Sequence, residues 1–162
     1  MTLDEAISLA RRAHEGATDK AGRPYIEHPL RVMERLRSDS PVEESVLMAA
    51  ILHDVIEDTD VSAEALLAAG CPLEAVEAVV ALTKRPEESY HDFLRRLSPN
   101  PIARRIKLAD IEDNADEARL TLLPQARAAE LRAKYHRARL LLDELPATTP
   151  STVDAARAAG NS

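Results

Sequence analysis

Nowhere in this chain do β-branched residues alternate with polar ones as a half-buried strand requires. Apolar residues instead recur at helical spacing along most of its length. Leu3, Ile7, Ala10 and Ala13 form one such stripe, and Thr2 with Glu5 makes a capping box at its start. Only four glycines interrupt a sequence rich in Ala, Leu, Glu and Arg, all good helix formers. An all-α bundle of about eight helices is the expected fold. With no Trp, one Phe and three Tyr, its core must be built from Leu, Ala, Val and Ile.

The first helix should end near Gly16, before a polar loop, "ATDKAGRPYIE", broken by Gly22 and Pro24. Pro29, directly after His28, suits the first turn of a second helix continued by Leu30, Met33 and Leu36. Ser40-Pro41-Val42-Glu43 reads as a second capping box, opening a third helix that runs into His53-Asp54. A fourth helix from about Ser62 stops at Gly70, a fifth covers about 73–83, and a sixth covers 89–97. Asn100-Pro101 caps a long seventh helix reaching about Leu120, and residues 124–145 form the eighth. Residues 1–145 thus read as one domain. The tail, 146–162, lacks apolar anchors and is expected to be disordered.

A net charge of −7 argues against general nucleic-acid binding, which depends on neutralising phosphates. It leaves room for a small phosphorylated ligand held by a few local cations or a metal. The single cysteine, Cys71, excludes an internal disulfide and fits a reducing compartment. No apolar run is long enough to span a bilayer, and residues 1–13 are too charged for a signal peptide. The expectation is a cytoplasmic protein with no membrane partner.

One stretch, "AAILHDVIEDTD" at 49–60, opens as buried helix and then places His53, Asp54, Glu57 and Asp58 beside it. Ionised groups are expensive to desolvate, so the chain must supply compensating charge. Taken alone, His53-Asp54 is better read as a histidine at a helix end with an aspartate as its hydrogen-bond partner. Two further segments change the balance. His28 lies in "YIEHPLRV", where the polar loop meets an apolar helix, and Asp110 lies in "RRIKLADIEDN", whose spacing puts Lys107, Asp110 and Asn114 on one helix face. Together, His28, His53, Asp54 and Asp110 offer two imidazoles and two carboxylates, a donor set suited to Mn²⁺ or a related divalent ion. Such an ion would compensate carboxylates that could not otherwise be buried together. Lys20, Arg23, Lys84, Arg104 and Lys107 are the cations that could hold phosphates. Tyr25 and Phe93 read as core.

The segments "AHEGATDKAGRPYIEHPLRV", "AAILHDVIEDT" and "IKLADIEDN", in that order, resemble the HD-domain phosphohydrolases. More closely, they are similar to the hydrolase domain of RelA/SpoT enzymes and to the small alarmone hydrolases, over about residues 3–145. The resemblance implies an HD-type helical fold and makes His28, His53, Asp54 and Asp110 the metal ligands. It assigns Glu57 and Asp58 to positioning and activating water, and Asn114 and Tyr135 to the nucleotide pocket beside Lys20, Arg23 and Lys107. The implied reaction is Mn²⁺-dependent removal of the 3′-pyrophosphate of guanosine tetra- or pentaphosphate, giving GDP or GTP. Burial beside Val55 and Ile56 is expected to raise the pKa of Glu57 or Asp58 toward the useful range, and the metal's charge to oppose that shift.

Two departures stand out. Asp19 occupies the loop position where the family typically carries an arginine that packs on guanine, and the segment "ALTKRPEESYHDFLRR" is distinctive and is expected to reshape one pocket wall. The length leaves no room for a nucleotide-synthesising domain, so a stand-alone hydrolase is expected. Two alternatives stay open: a phosphatase for another nucleotide, such as a dinucleotide 2′-phosphate or a nucleoside monophosphate, and a non-catalytic nucleotide-sensing HD protein. Intact Glu57, Asp58 and Asn114 weigh against the sensor.

Overall fold

A helix that is apolar all round has no face for solvent and must be surrounded by others. The computed structural model describes residues 1–19, 22–39 and 41–146 and has this organisation. In chain order its helices are α1 (Leu3–Ala13), α2 (Glu27–Asp39), α3 (Glu44–Leu52), α4 (Val55–Asp58) and α5 (Ala63–Ala68). They continue with α6 (Leu73–Leu82), α7 (Tyr90–Leu97), α8 (Pro101–Asn114), α9 (Glu117–Leu120) and α10 (Gln125–Glu144). The central helix is α3, in which seven of nine residues are buried. It packs against α1, α2, α6 and α8, while α10 lies across α8 and α7. Extended pairing among the described residues is limited to an isolated bridge between Thr18 and Pro24, which closes the loop before α2.

The caps read from sequence act as local chemistry requires. Thr2 Oγ1 accepts from the Glu5 N–H at 3.2 Å while Glu5 Oε2 accepts from the Thr2 N–H at 2.7 Å. Asn100 accepts from the Ala103 N–H and Pro101 takes the first turn of α8, where a missing donor costs nothing. Gly70 stands at φ +83° just beyond α5, a conformation open to glycine without strain.

Three expectations are corrected. The proposed capping box at 40–43 does not start α3: its N-cap is Glu43, whose side chain makes no capping bond, and Ser40 lies outside the described residues. Glu44 instead accepts the Leu3 N–H at 3.0 Å, tying α3 to α1. The seventh helix of the sequence reading stops at Asn114 rather than near Leu120. Asp116 turns extended and accepts from the Ala118 N–H, so it begins α9 as a new N-cap. Finally, α3 stops at Leu52 and α4 follows as a separate turn. These breaks bring the number of helices among the described residues to ten. The tail expected to be disordered lies, apart from Pro146, outside the described residues. No helix of the described residues is long and apolar enough to cross a membrane.

The break after Leu52 matters most for the site. Leu52 is fully buried, and truncating such a leucine to alanine costs about 2–5 kcal/mol. It anchors the helix end from which His53 and Asp54 project. The His53 ring bonds back through Nδ1 to the Ala50 carbonyl at 2.7 Å. Asp54 then leaves ideal helical geometry at φ −102°, ψ −3°.

Candidate metal centre and substrate cleft

His28 enters from the opposite side of the bundle. Its N–H donates to the Tyr25 carbonyl at 3.0 Å, and the Glu27 N–H donates to that of Pro24 at 3.1 Å, so the "PYI" turn delivers His28 in the first turn of α2. The packing of α2 on α8 sets its Nε2 3.1 Å from Asp110 Oδ1 and 3.8 Å from Asp54 Oδ2. The His53 ring lies 5.3 Å from that of His28, centroid to centroid, and its Nε2 is 3.0 Å from the same Asp54 oxygen. His53 Nε2 is nevertheless buried without a hydrogen bond. His28, His53 and Asp54 offer ligand atoms that all lie within 4.8 Å of one another, and Asp110 adjoins them through His28.

Each carboxylate has its own support. Asp54 Oδ2 accepts the Tyr25 hydroxyl at 2.6 Å. Asp110 accepts Lys107 Nζ on one oxygen at 2.6 Å and the Asn114 amide on the other at 2.5 Å. Burial alone would push both acids toward their neutral forms. The charge of His53 on Asp54, and of Lys107 and the histidines on Asp110, wins instead and holds both well below the usual carboxylate range. Burial likewise opposes charge on His28, yet its hydrogen bonds to Asp110 and Asp113 push it up to about 9. His53 is raised too, as Asp54 outweighs its burial. Within the cluster, imidazolium thus balances carboxylate, and a metal entering it would displace ring protons. Tyr25 stays a phenol because of burial and the adjacent Asp54 and Asp58 charges.

A cleft of about 540 Å³ opens beside this cluster and is lined by His28, Asp54, Asp110, Glu57, Asn114 and Tyr135, among others. The acidic pair is placed differently from expectation. Glu57 and Asp58 are both exposed, because the turn of α4 buries Val55 and directs them outward, so they are not buried as anticipated. Glu57 reaches the cleft, and its Oε2 accepts the Lys84 N–H at 2.8 Å. Asp58 lines a shallower neighbouring depression with Thr59 and Asp60.

The candidate cations are redistributed as well. Lys107 is spent on Asp110 and lies over the Phe93 ring at 5.2 Å, away from the cleft wall. Arg104 binds the Leu145 carbonyl at 2.7 Å. Arg23 is exposed and outside the cleft lining, and Lys20 lies outside the described residues. The cations that do line the cleft are Arg31, Arg119 and Lys134. Phe93 is core as expected, whereas Tyr25 is only half-buried and serves Asp54.

The residue most clearly missed is Asp113. It is fully buried, 2.8 Å from His28 Nδ1 and 3.0 Å from Arg31 Nε. Its spacing three residues after Asp110 was the available signal, since it places both acids on one side of α8. Arg31 carried the same signal relative to His28 on α2.

Two imidazoles and two carboxylates meeting where four helices converge define an all-α protein built around a candidate metal site. The family model for the HD domain matches residues 6–127, and the chain belongs to the HD-domain family. The guanosine-3′,5′-bis(diphosphate) 3′-pyrophosphohydrolase of Vibrio cholerae is 36% identical over 111 residues, covering 68% of this chain and 15% of that protein. The bifunctional (p)ppGpp synthase/hydrolase SpoT of Escherichia coli K12 is 51% identical over 57 residues, 35% of this chain and 8% of that protein. The chain therefore spans only a small part of these two relatives. Among solved structures, a metazoan ortholog of SpoT that hydrolyzes ppGpp and plays a role in starvation responses superposes with a TM-score of 0.64. It is 28% identical, and the match covers 88% of this chain and 92% of that one.

Proposed function

We propose that residues 1–145 form a cytoplasmic, Mn²⁺-dependent hydrolase that removes the 3′-pyrophosphate of guanosine tetra- or pentaphosphate, leaving GDP or GTP. The observation that carries this reading is the meeting of His28, His53, Asp54 and Asp110 at one end of a cleft that also holds Glu57, Asn114 and Tyr135. The near full-length likeness to the metazoan ppGpp hydrolase supports it.

The residues fit a divalent ion. Mixed imidazole and carboxylate donors suit Mn²⁺, and His53 Nε2 is a buried donor atom that the protein leaves without a hydrogen bond. When bound, the ion offsets the gathered carboxylates, screens phosphate oxygens and lowers the pKa of water. The chain's own groups do the rest. Tyr25 fixes Asp54, while Lys107 and Asn114 fix Asp110. Glu57, steadied through one oxygen by the Lys84 N–H, takes a proton from the attacking water, with Asp58 beside it. Water oxygen joins the phosphorus next to the ribose as the bond from that phosphorus to the 3′ oxygen breaks. The 3′ oxygen then takes a proton and pyrophosphate departs. Lys134 lines the cleft as a phosphate contact, the role expected of Arg23 and Lys107; Arg31 and Arg119 lend positive charge to the same wall while bound to Asp113, and Leu120, Leu123 and Leu131 give the base an apolar wall.

One observation favours a phosphatase for another nucleotide: Asp19 lines the cleft where a guanine-stacking arginine is expected. Its carboxylate accepts the Arg23 N–H at 2.9 Å and braces the loop, so the acid has a local task. The deciding experiment incubates the purified chain and Mn²⁺ with ppGpp, with dinucleotide 2′-phosphates and with nucleoside monophosphates. Pyrophosphate and GDP should appear from ppGpp, and a chelator should stop their release. Rapid cleavage of another nucleotide with none of ppGpp overturns the alarmone reading.

A further inference from the structure

We propose that Asp113 is the positioning residue that makes His28 a metal ligand through Nε2. The inference rests on the metal reading above and adds a residue to it.

A ligating histidine needs its second nitrogen fixed, because that hydrogen bond decides which nitrogen is left for the metal. Asp113 Oδ2 lies 2.8 Å from His28 Nδ1, and an ionised carboxylate can only accept. Nδ1 therefore keeps its proton, and Nε2, which faces Asp110 at 3.1 Å and Asp54 at 3.8 Å, is the nitrogen turned toward the cluster. Asp110 and Asp113 lie three residues apart on α8, so one helix contacts both nitrogens of the ring from opposite ends.

Three arginines explain how the chain tolerates a fully buried acid there. Arg31 Nε stands 3.0 Å from Oδ1, Arg35 Nε 3.6 Å from the same oxygen, and Arg119 3.0 Å from Oδ2. They compensate the charge. Engaged on both oxygens, they also keep Asp113 from swinging round to become a ligand itself. His53 is arranged differently, with the neutral Ala50 carbonyl on its Nδ1 at 2.7 Å. Only His28 therefore has a carboxylate behind it, which raises its basicity as a ligand.

The test is Mn²⁺ titration by calorimetry, with thermal melts run in parallel, on wild type, Asp113→Asn and Arg35→Gln. Asparagine keeps the shape and loses the charge, and the Kd for Mn²⁺ should rise about 10- to 100-fold. Arg35→Gln disturbs the same network without touching His28 and should leave the Kd unchanged, whatever its Tm. An unchanged Kd in Asp113→Asn, or equal weakening in both variants, overturns the positioning role while the metal reading stands. Wild-type protein that binds no Mn²⁺ overturns both. If Asp113→Asn does not fold, nitrogen NMR of His28 in wild type loaded with diamagnetic Zn²⁺ decides the matter. Coordination through Nε2 with a proton on Nδ1 supports the inference, and coordination through Nδ1 overturns it.

Discussion

Replacing Lys107 with methionine removes the ammonium from a buried pair and leaves most of the side chain's apolar volume. Lys107 Nζ sits 2.6 Å from Asp110 Oδ2, where a unit charge pair at an effective dielectric of 20 attracts by about 6 kcal/mol before desolvation is counted. Breaking such a buried pair from one side costs about 3–5 kcal/mol, because the remaining acid is stranded. Asn114 and His28 still contact Asp110, which favours the lower figure. At about 3 kcal/mol, a domain of this size should melt roughly 6–12 °C lower when metal is chelated. Bound Mn²⁺ supplies positive charge to the same carboxylate, and the lost ammonium no longer repels the ion. Metal should therefore stabilise the variant more than wild type, where saturation at 100 times the Kd is worth about 2.7 kcal/mol. Differential scanning fluorimetry with chelator and with Mn²⁺ measures both gaps. A gap in Tm that is the same with and without Mn²⁺ would refute the charge-compensation argument for this site.

Three further outcomes are expected. His53→Ala removes a buried ligand atom and should lose most bound Mn²⁺ by elemental analysis; full occupancy removes His53 from the ligand set. Glu57→Gln keeps an oxygen for the Lys84 N–H, so it should retain metal yet lower kcat by about 10²-fold or more, and a near wild-type rate would shift the base to Asp58. Hydrogen bonding from Arg96 holds Glu88 down to about 2, from an ordinary value of 4.5. A depressed acid stabilises the fold above its unfolded pKa and stops doing so as pH falls through the folded one. Glu88→Gln should thus lower Tm at pH 7, with the deficit shrinking between about pH 4.5 and 2 in acid melts. A deficit that stays constant over that range contradicts the assignment.

What the sequence determined is what depends on near neighbours. Thr2 and Glu5, or Asn100 and Ala103, interact across three residues, so their caps are legible without knowing the fold. The apolar character of α3 and the scarcity of glycine likewise settle an all-helical bundle, and the quoted motifs single out His28, His53, Asp54 and Asp110. Asp116 escaped this reading, because a helical pattern continues through it and only its capping geometry divides α8 from α9. What tertiary structure decided is which charges meet. Asp113 finds His28 across 85 residues and Arg31 across 82, contacts created only by α2 packing on α8. Arg31 and Arg119 are likewise brought onto Asp113 at the cleft wall by tertiary packing, whereas Lys107 meets Asp110 three residues along α8, a contact that the spacing alone shows. Local signals fix the backbone because its hydrogen bonds reach only about a turn of helix. Side-chain charge acts through space, so its partners follow from how the helices are stacked.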